Sequence, residues 1–137
     1  MIGLIGISYK TSTLDVRERF SLTQEEILPF SELLQKETGI SDIVVLSTCN
    51  RTEIYFSQNK YNFHLAAKLV YKTLKQYKEI EEKFWHSFYS HSNNDAAKHL
   101  FEVACGIHSM VIGEDQIIGQ IKEAYVFCTE EALTDAI

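Results

Sequence analysis

Several things are scarce in this 137-residue chain, and each scarcity excludes a class of protein. Basic residues are outnumbered, thirteen Lys and Arg against nineteen Asp and Glu for a net charge of −6, so no global positive field gathers nucleic acid or anionic membrane and any polyanion must meet a local patch. Proline occurs once and glycine six times, with 45% apolar and 23% charged residues; this is neither disordered, collagen-like nor low-complexity composition. No apolar run approaches the roughly 18 residues of a membrane helix, so no membrane association is expected. The opening Met1 to Ile7 has no basic n-region or small-residue cleavage site, so no signal peptide is expected either. Cys49, Cys105 and Cys128 are an odd set without Cys-x-x-Cys, which favours reduced thiols and a cytoplasmic location. No cysteine or histidine has zinc-ligand spacing, so no metal is expected.

What is present reads as one α+β domain. Residues 2 to 8 form a β-branched and apolar run broken by Gly3 and Gly6, expected as a first strand, followed by a turn over Ser8 to Thr13 and a short helix from Asp15 to Phe20. Thr23 and Glu26 have capping-box spacing for a helix that Gly39 closes; Pro29 inside it predicts a kink or a split into two shorter helices. Ser41 to Thr48 contains Ile43-Val44-Val45-Leu46, a run typical of a strand covered on both faces, and Thr52 to Ser57 is its expected neighbour. Residues 61 to 79 repeat apolar side chains at Leu65, Leu69, Thr73/Leu74 and Tyr77, with Lys68, Lys72, Lys75 and Lys78 on the other side. Alternating aromatics from Phe84 to Tyr89 suggest a fourth strand. Asn93-Asn94-Asp95 would cap a helix from about Ala96 to Ala104, ended by Gly106. A last helix from about Glu114 to Glu131 is cut off by the chain end. This order resembles a ferredoxin-like split βαβ antiparallel sheet with helices on one face.

The densest polar cluster, Ser47-Thr48-Cys49-Asn50-Arg51-Thr52-Glu53, falls where one strand ends and the next begins, a common place for a site. A cysteine acts as a nucleophile through its thiolate, which needs nearby positive charge; Arg51 is the local candidate. The plain alternative makes Cys49 a small buried hydrophobe and Arg51 a structural partner of Glu53. His99 would complete a Cys/His acyl-transfer pair if the fold brought it to Cys49, and is otherwise a packed core histidine. In a second cluster, Gly113 to Gln120, Glu114 and Asp115 suit the start of a helix. Gly119 implies close approach of a backbone or ligand, and Gln116 and Gln120 share a face. Neither GxGxxG nor a Walker loop is present. The lysine stripe is a solvated helix face unless it meets phosphates.

The block Ser47-Thr48-Cys49-Asn50-Arg51-Thr52-Glu53-Ile54-Tyr55 closely resembles the signature of the glutamyl-tRNA reductase family. Gly6-Ile7-Ser8-Tyr9-Lys10-Thr11 with Arg17-Glu18, Asn94-Asp95 with His99-Leu100, and Gly106 through Lys122 resemble further family blocks, in order, over nearly the whole chain. The resemblance implies that Cys49 attacks the ester carbonyl joining glutamate to tRNA and holds the glutamyl group as a thioester. NADPH then reduces it to glutamate-1-semialdehyde, the first step of tetrapyrrole and porphyrin biosynthesis. It further implies that Thr48, Asn50, Arg51, Ser109, Glu114, Asp115, Gln116 and Gln120 surround the glutamyl group, with Arg51 suited to a bidentate hold on a carboxylate and His99 orienting the reacting group. His108 stands where relatives commonly carry an acidic residue, and Asp115 where a small residue or proline is frequent.

The chain is therefore expected to be a single N-terminal catalytic domain, residues 1–137. By the same resemblance, the family's NADPH-binding domain and its C-terminal domain, through which the family enzyme is a homodimer, are expected to be absent from it. It should retain acyl transfer and lack hydride delivery, with the semialdehyde passing to glutamate-1-semialdehyde aminotransferase in the whole enzyme. Two other functions fit the residues: a non-catalytic RNA-binding module of ferredoxin-like fold using the lysine stripe, and a thiol hydrolase using Cys49 and His99.

Overall fold

The computed structural model describes residues 1–104. In chain order these are β1 (Ile2–Ser8), α1 (Leu14–Phe20), α2 (Gln24–Thr38), β2 (Asp42–Ser47), β3 (Arg51–Ser57), α3 (Phe63–Lys78), β4 (Tyr89–Ser92) and α4 (Asn93–Ala104). The strands form one antiparallel sheet in the order β2-β3-β1-β4. Each β-α-β unit has the other unit's first strand inserted between its own two, which is the ferredoxin-like split βαβ arrangement expected from the sequence. Gly106, the Glu114 to Glu131 helix and its truncation at the chain end lie outside the described residues.

One face of the sheet presents Ile5, Ile7, Ile43, Val45, Ile54 and Phe56 to the main core, where they meet Phe20, Phe30, Leu34, Val70 and Leu74 of α1, α2 and α3. The opposite face presents Leu4, Val44 and Tyr55 to Ala96 and Leu100 of α4, and Leu46 meets Val103. The expectation of helices on one face is thus corrected: α4 covers the other. Strand β4 passes into α4 without a loop, and Asn93, at φ 48°, supplies the left-handed residue at this reversal, a conformation asparagine tolerates better than most. Coverage from both sides explains why Ile43 to Leu46 is apolar without alternation.

The capping box forms, with the Glu26 carboxylate accepting the Thr23 N–H at 3.0 Å, and Gly39 closes α2 at φ 83° by donating to Gln35 O at 2.8 Å. Pro29 does not split α2, which is a single element. Pro29 and Glu25 are both exposed, so the ring lies on the solvent side and the carbonyl it deprives of a donor can take water.

Two other expectations shift. The buried stripe of α3 is Ala66, Ala67, Val70, Tyr71 and Leu74, whereas Leu65 is 45% exposed; two alanines begin the buried face, so a stripe drawn through the large residues is rotated from the true one. Residues Trp85–Ser87 form a 3₁₀ turn and the fourth strand begins only at Tyr89. Phe84 and Phe88 still share a side, as the alternation had them, their rings 5.7 and 4.9 Å from that of Phe20.

Candidate active site

Cys49 is the exposed tip of the β2–β3 hairpin. The last ladder pair is Ser47 with Thr52, and Thr48 then closes the turn: its N–H donates to Arg51 O at 2.7 Å, while its hydroxyl oxygen accepts the N–H groups of Asn50 and Arg51 at 3.1 and 3.3 Å. Neighbouring segments bracket the tip. Tyr9 N–H donates to Asn50 O at 2.9 Å, Arg17 Nε to Cys49 O at 3.4 Å, and Leu22 N–H to the Ser47 hydroxyl at 3.0 Å. Cys49 Sγ lies 3.8 Å from Asn50 Oδ1, its hydrogen-bond acceptor. The thiol is therefore exposed on a turn whose backbone is pinned from both sides, beside a cleft lined in part by Leu14, Arg17, Glu18, Ser21 and Thr48. This is not the environment of a small buried hydrophobe.

Arg51 is 2% exposed, with Nη1 3.5 Å from Glu53 Oε2, so the structural pairing with Glu53 is present. Arg17, distant in sequence, is the arginine that touches Cys49's own carbonyl; the motif Arg17-Glu18 held that residue, but only the fold places it.

Glu53 is the centre of a second cluster. It is fully buried, and Oε2 accepts from the Tyr89 hydroxyl at 2.5 Å and lies 2.5 Å from His99 Nε2, while Oε1 accepts from the Tyr55 hydroxyl at 2.8 Å. Burial alone pushes this carboxyl up, but the His99 contact and charge, the Tyr89 hydroxyl and the Arg51 charge together hold it below the usual carboxylate range. Burial and the adjacent Glu53 charge push the Tyr55 and Tyr89 hydroxyls far up, so both remain protonated donors. The His91 ring stacks on His99 at 5.0 Å; burial and the His99 charge pull it below the usual histidine range.

The described contacts do not form the Cys/His pair. The thiol meets Asn50, whereas His99 meets Glu53 and lines a different cleft with His91, Asp95, Lys98 and Glu102. Thr48 and Asn50 shape the turn. Ser109, Glu114, Asp115, Gln116 and Gln120, together with His108, lie outside the described residues. Sequence reasoning missed Tyr89 as a site residue and saw Glu53 only as a partner for Arg51. Of the lysine stripe, Lys78 pairs with Glu26 at 3.1 Å, and Lys68 and Lys75 sit over the rings of Trp85 and Tyr71. Among the described residues, no helix is long and apolar enough to cross a membrane.

Gly6 is part of this construction. It faces Glu53 on one side and Tyr89 on the other, and a Cβ there would lie 2.7 Å from the Tyr89 ring. Gly6→Ala is expected to displace that ring from Glu53 and to cost about 1–3 kcal/mol as an overpacking substitution; urea unfolding measures this, and a variant as stable as the parent would refute the close approach.

Residues 5–137 match the family described as glutamyl-tRNAGlu reductase, N-terminal domain. The chain is 39% identical over 127 residues to a glutamyl-tRNA reductase of Pseudomonas putida (strain GB-1), covering 92% of this chain and 29% of that one. It is 38% identical over the same shares to one of Pseudomonas fluorescens (strain SBW25). Its fold matches the glutamyl-tRNA reductase from Methanopyrus kandleri with a TM-score of 0.74 at 25% identity, covering 98% of this chain and 30% of that one. The chain thus spans under a third of the length of these relatives. With an exposed cysteine on a pinned hairpin inside a ferredoxin-like sheet, it belongs to the family of glutamyl-tRNA reductase N-terminal domains.

Proposed function

We propose that this domain performs the acyl-transfer half of glutamyl-tRNA reduction, with Cys49 as the nucleophile. Cys49 Sγ bonds to the glutamyl carbonyl carbon, the ester carbon–oxygen bond to tRNA breaks, and the thiol's proton leaves with the tRNA as its hydroxyl. The product is a thioester, which accepts hydride more readily than the ester. The observation that carries this function is the exposed thiol on a turn held by Thr48, Tyr9 and Arg17, because a fixed, accessible sulfur reduces the orientational cost of attack. Arg17 places a positive charge beside the same cleft. Thr48, Asn50 and Arg51, with Ser109, Glu114, Asp115, Gln116 and Gln120, are proposed to surround the glutamyl group, and His99 to orient the reacting carbonyl.

NADPH supplies hydride in the whole enzyme, but the described residues do not fit it. The sheet is antiparallel throughout, without the parallel β-α-β crevice and glycine-rich turn that hold a dinucleotide. Hydride delivery is therefore assigned to a separate domain. A homodimer formed through a further domain, hand-over to an aminotransferase and a cytoplasmic setting extend the same proposal to the whole enzyme.

The test is the intact mass of the 137-residue chain after brief mixing with glutamyl-tRNA, beside Cys49→Ser. A glutamyl adduct on the parent alone is expected, with no semialdehyde on adding NADPH. An adduct that persists in Cys49→Ser, or semialdehyde from this chain, would overturn the assignment.

A further inference from the structure

Glu53 takes no part in the acyl transfer as proposed, yet its carboxylate sits where β3, β4 and α4 meet. Its four neighbours come from all three: Arg51 and Tyr55 from β3, Tyr89 from β4 and His99 from α4. Burying a carboxylate is costly unless donors surround it, and apolar residues of similar volume would fill the space without that cost. What such a cluster provides is fixed geometry. Here it ties together Arg51 and His99, the two site candidates that lie on different elements.

The chemistry of the contact goes further. An ionised carboxylate only accepts hydrogen bonds, so the His99 nitrogen facing it must carry the hydrogen. Resting on the acyl-transfer function above, we propose that Glu53 is a positioning residue: it fixes His99 as the Nε2–H tautomer, and so fixes the ring that orients the reacting carbonyl, and holds Arg51 in the same contact. Gly6 and the tyrosines serve that carboxylate, Gly6 by admitting the Tyr89 ring and Tyr55 and Tyr89 by satisfying its remaining acceptor sites.

The experiment is imidazole nitrogen NMR on the 15N-labelled 137-residue chain, with His99 neutral. Hydrogen on Nε2 is expected; hydrogen on Nδ1 in the parent would overturn the proposal without recourse to any variant. In Glu53→Gln, whose amide can donate as well as accept, the Nε2–H preference should be lost. Glutamyl transfer to Cys49 should then slow on the order of 10- to 100-fold, the loss typical of an oriented histidine deprived of its carboxylate. The iodoacetamide reaction at Cys49 should stay unchanged, because none of the bonds pinning the hairpin tip involves Glu53. Unchanged tautomer or unchanged transfer in this variant would sink the proposal. Should Glu53→Gln not fold, Tyr89→Phe keeps the carboxylate and should keep the tautomer; its loss there would count against Glu53. A parent that forms no glutamyl adduct would overturn the acyl-transfer function, while the tautomer still decides whether Glu53 sets the ring.

Discussion

Replacing Phe20 by alanine is expected to cost about 3–5 kcal/mol, the usual range for a buried phenylalanine, out of the roughly 5–15 kcal/mol that holds a domain folded. Phe20 is fully buried at the end of α1, and its ring meets the edges of Phe84 and Phe88 at 88° and 86°, a geometry that adds to the burial itself. The residue also joins fold to site. Helix α1 carries Arg17, which bonds Cys49 O, and the chain just beyond it supplies Leu22 N–H to Ser47, so loosening Phe20 frees both brackets of the hairpin tip. Leu14, on the same helix but 52% exposed, is the control: Leu14→Ala should stay within about 0.5 kcal/mol. Urea unfolding of both variants checks this, and a Phe20→Ala change below 1 kcal/mol would show that the ring is not a core anchor.

The strands that build the site were legible because their signals are local. The apolar run of β2, the Thr23 and Glu26 capping box and the strand β3 need only their own neighbours to be read. The Cys49 block was legible as a resemblance, and its place at a strand junction agreed. What was not legible depends on contacts distant in sequence. Periodicity shows that a helix has an apolar face without saying which side of a sheet receives it, so α4 was placed with the other helices; the left-handed Asn93 that turns it over has no periodic signature. The Phe84 to Tyr89 alternation misled because aromatic residues satisfy a 3₁₀ turn and a strand equally well until their partner, Phe20, is known. Arg17 was not read as a neighbour of Cys49 because sequence distance stood in for spatial distance. The Glu53 cluster did leave a signal that went unused. Arg51, Glu53 and Tyr55 alternate at period two, which puts three polar-tipped side chains on one face of a strand beside the apolar run of β2, and charged residues that end up buried there are almost always paired.

Acidification should destabilise the domain in two separate stages. The first belongs to His91, whose ring faces His99, Asp95 and Glu102 on α4 and Glu53 on β3. Burial, followed by the His99 charge, lowers its folded-state value below 6.5, so the unfolded chain takes up the proton at a higher pH than the folded one. Stability therefore falls as pH drops from neutrality through about 6.5 and stops falling once the folded ring also protonates. The second stage belongs to Glu53. Its folded value lies below 4.5 because His99, Tyr89 and Arg51 outweigh burial, so its contribution is complete above the unfolded carboxylate value and is lost as pH falls through the folded one. Protonation there weakens the acceptor that holds β3, β4 and α4 together. Glu26, lowered by the Thr23 N–H and then by Lys78, loses its contribution in the same direction. Urea midpoints measured from pH 8 down to 3.5 should show a decline through the histidine range, then a steeper one in the carboxylate range. His91→Gln should remove the first stage alone. A parent whose stability is level between pH 7.5 and 5, or a His91→Gln variant that keeps the upper decline, would show that the first stage does not arise from His91 in the ring stack over α4.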